Sequence, residues 1–477
     1  MIDEILIDAG PRRRRIALLA RGRLLELYLS LPGDRHPERI IMGRVRTLQA
    51  DLDAAFVDIG EERQALLPAR DTAAKRGTPI SRAVREGESL LVQVKREAEG
   101  EKGARISARP RLSGRALVFL PLGHDVELSS RIKKPDQRQR LQALGRMLRE
   151  RHGGGLRLRS RTAKYDDAAL EQEADDLCRR WRDIQSAAAS AKALLLLDPG
   201  DDPMTVVLRE HAGVSLRRIR VDDSALAAEL QAAWGDQGPA IEVHDGAGAL
   251  FDERGLEAQI ESALATDVTL PSGGRIIMEH TQALTAVDVD SGQAANPGSN
   301  GDPARLARET NTEAAREIAR QLRLREIGGR MVIDFIPMRG KGEVAALLKK
   351  LQGFLADDPG GVHLGRMSEL GLVELTRRRR QPALAQRLGE VCIPCTGSGL
   401  RPTARYVADN LLQRILRESH AAKGRALDVR AAAAVVVDLG GPDGSILTDL
   451  EKARGCRVRL TADPALALEK FEVTTIR

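Results

Sequence analysis

The chain is poor in aromatic residues. Six Phe, three Tyr and two Trp make up 2% of its 477 residues, so its cores must rest on Leu, Val, Ile and Ala. Four cysteines are too few for a disulfide scaffold and fit a reducing compartment. No apolar run approaches the ~18 residues of a membrane span, so none is expected. The opening Met1-Ile2-Asp3-Glu4 is acidic and lacks the basic and apolar regions of a secretory signal. A cytoplasmic protein is expected. No internal repeat and no long Gly, Ser or Pro linker divides the chain, so its domains should pack together or be inserted in one another.

Hydrophobic residues at 42% and charged residues at 30% allow folded cores, and the length predicts roughly three to five compact units. Lys and Arg total 75 against 68 Asp and Glu, a net charge of +7, which suits a polyanion binder. Ile5 to Ile7 and Arg15 to Leu19 read as strands joined across Gly10-Pro11. The basic run Arg12 to Arg15 reads first as a solvated hairpin tip and second as a phosphate clamp. Between residues 36 and 108, short β-rich runs separated by turns predict a small barrel of OB type. Basic residues then crowd a helical stretch from Lys133 to Arg151. Arg157, Arg159 and Arg161 alternate as they would along one face of a strand. A helix is expected from about Asp166 to Ala191.

The most informative stretch runs from His280 to Gly292. Leu284 to Val289 reads as a strand, and the spacing of Asp288 and Asp290 puts both on one face. An amphipathic helix follows, about Ala304 to Glu326, ended by Gly328-Gly329. A second strand, Arg330 to Met338, holds Asp334. Strand–helix–strand implies a parallel crossover, which would set Asp288 and Asp334 side by side near a sheet edge. Two carboxylates with no obvious basic partner in the strands favour a hard cation, most simply magnesium, as in phosphodiester cleavage. A structural ion pair or a loop-capping Asp is the competing reading.

Cys392-Ile393-Pro394-Cys395, followed by Thr396-Gly397-Ser398-Gly399, has the spacing of one knuckle of a zinc ribbon. Structural zinc needs four ligands, and no second pair lies nearby in sequence. The site is either redox-active or shared between two chains, and a shared zinc is the more specific reading.

Together these residues resemble the ribonuclease E/G family, bacterial endoribonucleases specific for single strands. The resemblance spans essentially the whole chain. It is carried by EHTQALTAVDVDSG, NTEAAREIARQLRLREIGG with VIDFI, GLVELTRRR ahead of CxxC-x-G-x-G, and AAFVDIGEERQALLP. Length and the tail ending in Phe471-Glu472-Val473 look closest to the ribonuclease G branch. The implied fold is an α/β multidomain one. A ribonuclease H-like subdomain would combine residues 1–35 and 206–265. Inserted in it would be an OB-type RNA-binding domain (36–108) and a 5′-end sensor domain (109–205). A deoxyribonuclease I-like catalytic subdomain (266–388), a zinc link (389–402) and a small C-terminal domain (403–477) would follow.

The resemblance implies catalytic Asp288 and Asp334 on magnesium. Asp290 stands where the family usually has Asn, a third carboxylate able to bind the metal or to raise a neighbour's pKa. It implies RNA binding by Phe56 and Lys102, with Leu66 in place of a second aromatic; a barrel-core position is the other reading of Phe56. Arg159 and Ser160 match a 5′-phosphate-binding pair, with Gly114 and Val118 closing the pocket; a solvated strand position is the other reading of Arg159. Gly361 falls near a family Arg that supports the pocket. Arg377 to Arg380 follow the active-site segment, where the family is basic too; a solvated helix face is the other reading for two of the four. Cys392 and Cys395 would bind zinc across a homodimer, and dimers would pair into a tetramer. The implied activity is magnesium-dependent cleavage of single-stranded RNA by water, leaving 5′-phosphate and 3′-hydroxyl ends, in rRNA and tRNA processing and mRNA decay. A noncatalytic RNA-binding scaffold and a deoxyribonuclease are the rivals.

Overall fold

The computed structural model describes residues 2–10, 12–30, 38–98, 102–191, 194–211, 216–234, 239–246, 249–292, 302–338, 340–421, 425–440 and 445–476. The expected domain boundary at 35/36 lies outside them. The chain forms two compact units, Met1–Leu384 and Ala385–Arg477. Among the described residues no helix is long and apolar enough to cross a membrane.

Among the described residues, four sheets build the first unit. In one, the strands run Arg23–Ser30, Arg14–Ala20, Glu4–Asp8, Arg218–Val221, Ala240–Val243 in space. Glu4–Asp8 is antiparallel to Arg14–Ala20 and parallel to Arg218–Val221, with Glu4 opposite Arg218. Its Ile5, Leu6 and Ile7 are wholly buried, as a central strand covered on both faces requires. The expected hairpin is present, and Arg23–Ser30 extends it. Arg15 does not lie on a solvated tip. It sits in a strand, with Nε donating to Asp8 Oδ2 at 2.7 Å and its guanidinium 4.2 Å from the Phe251 ring centre.

The expected barrel is closed by five strands, Ile40–Gln49, Ala54–Asp58, Ala65–Pro68, Arg105–Ser107 and Ser89–Arg96, the last returning to pair with the first. Val45, Ala55, Val57, Leu67, Val92 and Ile106 fill it. Leu195–Asp198 adds a strand outside the closure, antiparallel to Ile40–Gln49. The third sheet orders Val126–Leu128, Gly155–Leu158, Leu117–Leu120 and Leu112–Ser113. It packs against helices Pro135–His152 and Asp167–Ser190. The second helix starts where Asp166 caps it, accepting from the Ala169 amide at 2.7 Å.

The fourth sheet runs Asp267–Thr269, Arg275–His280, Thr285–Asp290, Gly329–Asp334, Leu372–Arg377, Val362–Met367. Helices Pro303–Leu324 and Lys341–Leu355 cover one face; Ala314, Ile318, Leu322, Leu347 and Leu351 pack on Val287, Val289, Met331 and Ile333. The first helix does not end on Gly328-Gly329 as expected. It stops at Leu324, and Glu326 takes the left-handed turn at φ 52°. That costs a non-glycine residue energy, and the Glu326 carboxylate is fixed in place by the Arg380 amide at 2.9 Å and by Arg377.

The second unit is a three-stranded sheet. Its central strand Ala426–Ala431 is parallel to Arg457–Ala462 and antiparallel to Phe471–Ile476. Val407, Leu411 and Ile415 of the helix Ala404–Ala421 share its core with Leu427, Val429 and Val435.

Candidate active site

Alternation along Thr285–Asp290 buries Thr285, Val287 and Val289 toward the helices and turns Ala286, Asp288 and Asp290 to the other face. Gly329–Asp334 does the same, burying Met331 and Ile333 and exposing Asp334. The two strands are parallel, and Asp288 is the register partner of Asp334. Adjacent strands lie ~4.8 Å apart, so both carboxylates rise from neighbouring points on one open face. Arg330, Glu374 and Thr376 share that face, and Val332 and Leu372 complete it around Asp334.

Asp290 is engaged elsewhere. Arg275, its cross-strand partner, donates to its Oδ2 at 3.0 Å, and the Gly292 amide donates to Oδ1 at 3.0 Å. These two donors hold its carboxyl below the usual range. Asp290, expected as a third carboxylate able to bind the metal or to raise a neighbour's pKa, is instead paired with Arg275 on the neighbouring strand of the same hairpin.

Asn311 was missed by sequence reasoning. It is fully buried on the helix Pro303–Leu324, donates to the Ile336 carbonyl at 2.8 Å and accepts from the Ile336 amide at 3.0 Å. It thereby fixes the backbone leaving Asp334. The available signal was an Asn in line, at helical spacing, with Ala314, Ile318 and Leu322.

Among the described residues, no three or more His, Cys, Asp or Glu side chains gather as a metal-binding group. Asp288 and Asp334 remain as a two-carboxylate donor set. That matches magnesium, which is usually held by one or two carboxylates with water and substrate phosphate.

Phe56 lies half-exposed on the outside of the barrel, while Ala55 and Val57 on either side face its core. The barrel-core reading of Phe56 therefore fails. Leu66 is its cross-strand partner, also outward, and Lys102 is exposed just before the strand that follows.

The strand carrying Arg157 ends at Leu158, so the three alternating arginines do not share a strand face; Ser160–Lys164 is a 3-10 turn. Arg157, Arg159, Ser160 and Arg161 instead line one cavity of about 410 Å³ with Ser129 and Arg131. Burial, with Arg209 and Arg161 nearby, pulls Arg159 below the usual guanidinium range. Gly114 and Val118 are not among the lining residues. Val118 is buried opposite Arg157, and a side chain at Gly114 would meet Glu173, whose carboxylate accepts from the Ala116 amide at 2.8 Å. Gly361 takes a left-handed turn at φ 69°.

Arg377 to Arg380 form no helix. Arg377 ends a strand, buried, with Nε 2.8 Å from Asp358 Oδ2. Arg380 pairs with Glu210 at 2.5 Å and lies 3.4 Å from the Tyr28 hydroxyl.

In the second unit, Cys392 is exposed and Cys395 half-exposed, both as free thiols. The Gly399 and Gly397 amides and the Cys392 side chain hold the Cys395 thiol below its usual range, which favours the thiolate that binds metal. Cys178 and Cys456 are buried free thiols.

A family model described as the Ribonuclease E/G family matches residues 111–380. The chain is 30% identical over 493 residues to Ribonuclease G of Haemophilus influenzae and 31% identical over 490 residues to Ribonuclease G of Escherichia coli, spanning 99% of both chains in each case. It is 32% identical over 452 residues to Ribonuclease E of Escherichia coli, spanning 91% of this chain and 42% of that protein. The matched segment contains the arginine-lined cavity and the carboxylate pair, and the end-to-end coverage is with ribonuclease G. The chain belongs to the ribonuclease E/G family, on its ribonuclease G branch, and is an endoribonuclease.

Proposed function

We propose that the chain cleaves single-stranded RNA with magnesium held by Asp288 and Asp334, leaving 5′-phosphate and 3′-hydroxyl ends. The observation that carries this is the register pairing of the two carboxylates on an open polar face. Bound magnesium supplies charge neutralisation at the scissile phosphate and a more acidic water. In the reaction a water oxygen bonds to phosphorus, the bond to the 3′ oxygen breaks, and that oxygen leaves with a proton. Asp288 and Asp334 would hold that magnesium opposite the scissile phosphate. Arg275 keeps Asp290 turned aside, and Asn311 holds the strand end in register.

Phe56 and Lys102 would carry RNA across the outside of the barrel, and the Arg159–Ser160 cavity would receive the 5′ end. The domains would follow the boundaries that the family resemblance implies. The strand order around Glu4–Asp8, two parallel neighbours on one side and an antiparallel hairpin on the other, supports a ribonuclease H-like subdomain made from both chain segments. The four free thiols suit a cytoplasmic enzyme. Cys392 and Cys395 would share zinc with a second copy, with dimers pairing into a tetramer, and the activity would serve rRNA and tRNA processing and mRNA decay.

One experiment tests the reading. One single-stranded RNA, with a 5′-monophosphate or a 5′-triphosphate, is incubated with magnesium or EDTA and the new ends are mapped. Internal cleavage with 5′-phosphate products, abolished by EDTA, is expected. Cleavage unaffected by EDTA, or 5′-hydroxyl products, would overturn it.

A further inference from the structure

We propose that the apolar flanks of the carboxylate pair seat the two nucleobases on either side of the scissile phosphate, Ile277 under one and Leu372 under the other, an inference that rests on reading Asp288 and Asp334 as the catalytic pair. The first observation is the register. Ile277 is the cross-strand partner of Asp288, and Leu372 is the partner of Asp334. Since the two aspartates pair with each other, one row crosses four strands as Ile277–Asp288–Asp334–Leu372. Neighbouring strands lie ~4.8 Å apart, so each aliphatic side chain stands beside its own carboxylate. The next row on the same face sets Ala286 opposite Val332. All four apolar side chains are partly exposed.

The second observation is that this patch breaks the pattern of the sheet. A sheet covered by helices on one face ordinarily turns polar residues to the other. That rule holds at the rim of the patch. Asp267 lies outside Ile277, the Arg275–Asp290 ion pair bounds one side, and Glu279 and Glu374 end the second row. Arg330 opposite Thr376 lies beyond. The rule fails around the two aspartates, and the turn ahead of Leu372 adds Leu370, 86% exposed. An apolar patch rimmed by polar groups marks a binding surface, and a local break in patterning is expected where function chooses the residue.

The occupant follows from the chemistry of the pair. A scissile phosphate placed over Asp288 and Asp334 leaves the base before it and the base after it at opposite ends of the row. The faces of bases are what RNA offers to aliphatic side chains. Ile and Leu carry no donor or acceptor, so the flanks detect that a base is present and not which base it is.

Single-turnover cleavage in magnesium would compare one single-stranded RNA, cut at one site, with two copies that lack the base on one or the other side of that site. Each abasic RNA should be cleaved about tenfold more slowly, the scale on which a hydrophobic contact discriminates. Exchanging one base for another at either position should matter far less. Leu372→Thr should cost about tenfold on the intact RNA and nothing further on one abasic RNA. Ile277→Thr should behave in the same way with the other abasic RNA, since a shared contact makes the two losses non-additive. Threonine suits a strand, and Leu372→Met, which restores an apolar contact, should recover the rate. The abasic comparison uses the parent protein alone, so it holds even where a substitution disturbs the sheet. Abasic RNAs cleaved at the parent rate, or variant losses that add in full to the loss of the base, would overturn the inference. If Asp288→Asn is inactive on every RNA, the reading of the pair survives that result. Cleavage by Asp288→Asn near the parent rate would overturn both.

Discussion

Asp288 and Asp334 are register partners in a parallel ladder, on the face of the sheet opposite its covering helices. The pairing fixes the distance between their backbones by the ladder itself, not by a loop. Asp288→Asn or Asp334→Asn should each cut single-turnover cleavage by orders of magnitude, while RNA affinity in EDTA stays near that of the parent. Cleavage close to the parent rate in either variant would remove that residue from the reaction.

Asp290 offers the contrasting case. Asn in its place would still accept from the Gly292 amide and would lose only the ion pair with Arg275. Asp290→Asn should therefore keep turnover within an order of magnitude of the parent. A loss as deep as that of Asp288→Asn would make Asp290 a direct participant.

On the barrel, Phe56 has a leucine for its cross-strand neighbour. Stacking a base is worth about 1–3 kcal/mol. Phe56→Ala should weaken RNA binding by about that amount, and Leu66→Phe should strengthen it, both measurable by titration at fixed salt. If Phe56→Ala leaves affinity unchanged, the RNA runs elsewhere.

For the thiol pair, ligand counting gives the expectation. Two thiolates per chain at a four-ligand metal require about half a zinc per chain when two chains share it. Metal analysis of a freshly reduced preparation checks this, and Cys392→Ser with Cys395→Ser should lower the mass seen by light scattering. One zinc per chain, or an unchanged mass in the double variant, would exclude sharing.

Acid stability should report on Glu26. Burial pushes its carboxyl up, yet Arg323, Arg380 and the Tyr28 hydroxyl outweigh burial and hold it below the usual range. A depressed carboxyl contributes stability that is complete above the unfolded pKa of ~4.3 and is lost as pH falls through the folded value. Glu26→Gln should destabilise the protein at neutral pH by about 3–5 kcal/mol, the effect of breaking a buried pair. It should also flatten the fall of Tm below pH ~4.3. An unchanged acid slope would show that Glu26 is not the group being titrated.

The carboxylate pair was legible because period-two alternation and an amphipathic helix are local signals, and parallel pairing follows from them. The barrel strands were legible for the same reason. Arg23–Ser30 was not, since its interior Glu26 is stabilised by Arg323 and Arg380, far along the chain. The arginines after Leu158 alternate as a strand would, but the chain turns there into a 3-10 segment, and spacing alone does not reveal where a strand stops. Arg377 and Arg380 look like a solvated run because their carboxylate partners, Asp358, Glu326 and Glu210, come from three separate segments.

The parallel pairing of Glu4 with Arg218 also constrains synthesis. At about 5–20 residues per second, the first strand leaves the ribosome roughly 10–40 s before its neighbour exists. Through that interval Ile5, Leu6 and Ile7, wholly buried at the end, lack one of their two strand partners. The barrel and the arginine-bearing sheet are completed during the wait. A nascent chain arrested before Val221 should therefore carry a folded barrel beside an unfinished, aggregation-prone hairpin, and this N-terminal segment is where a chaperone would be needed first.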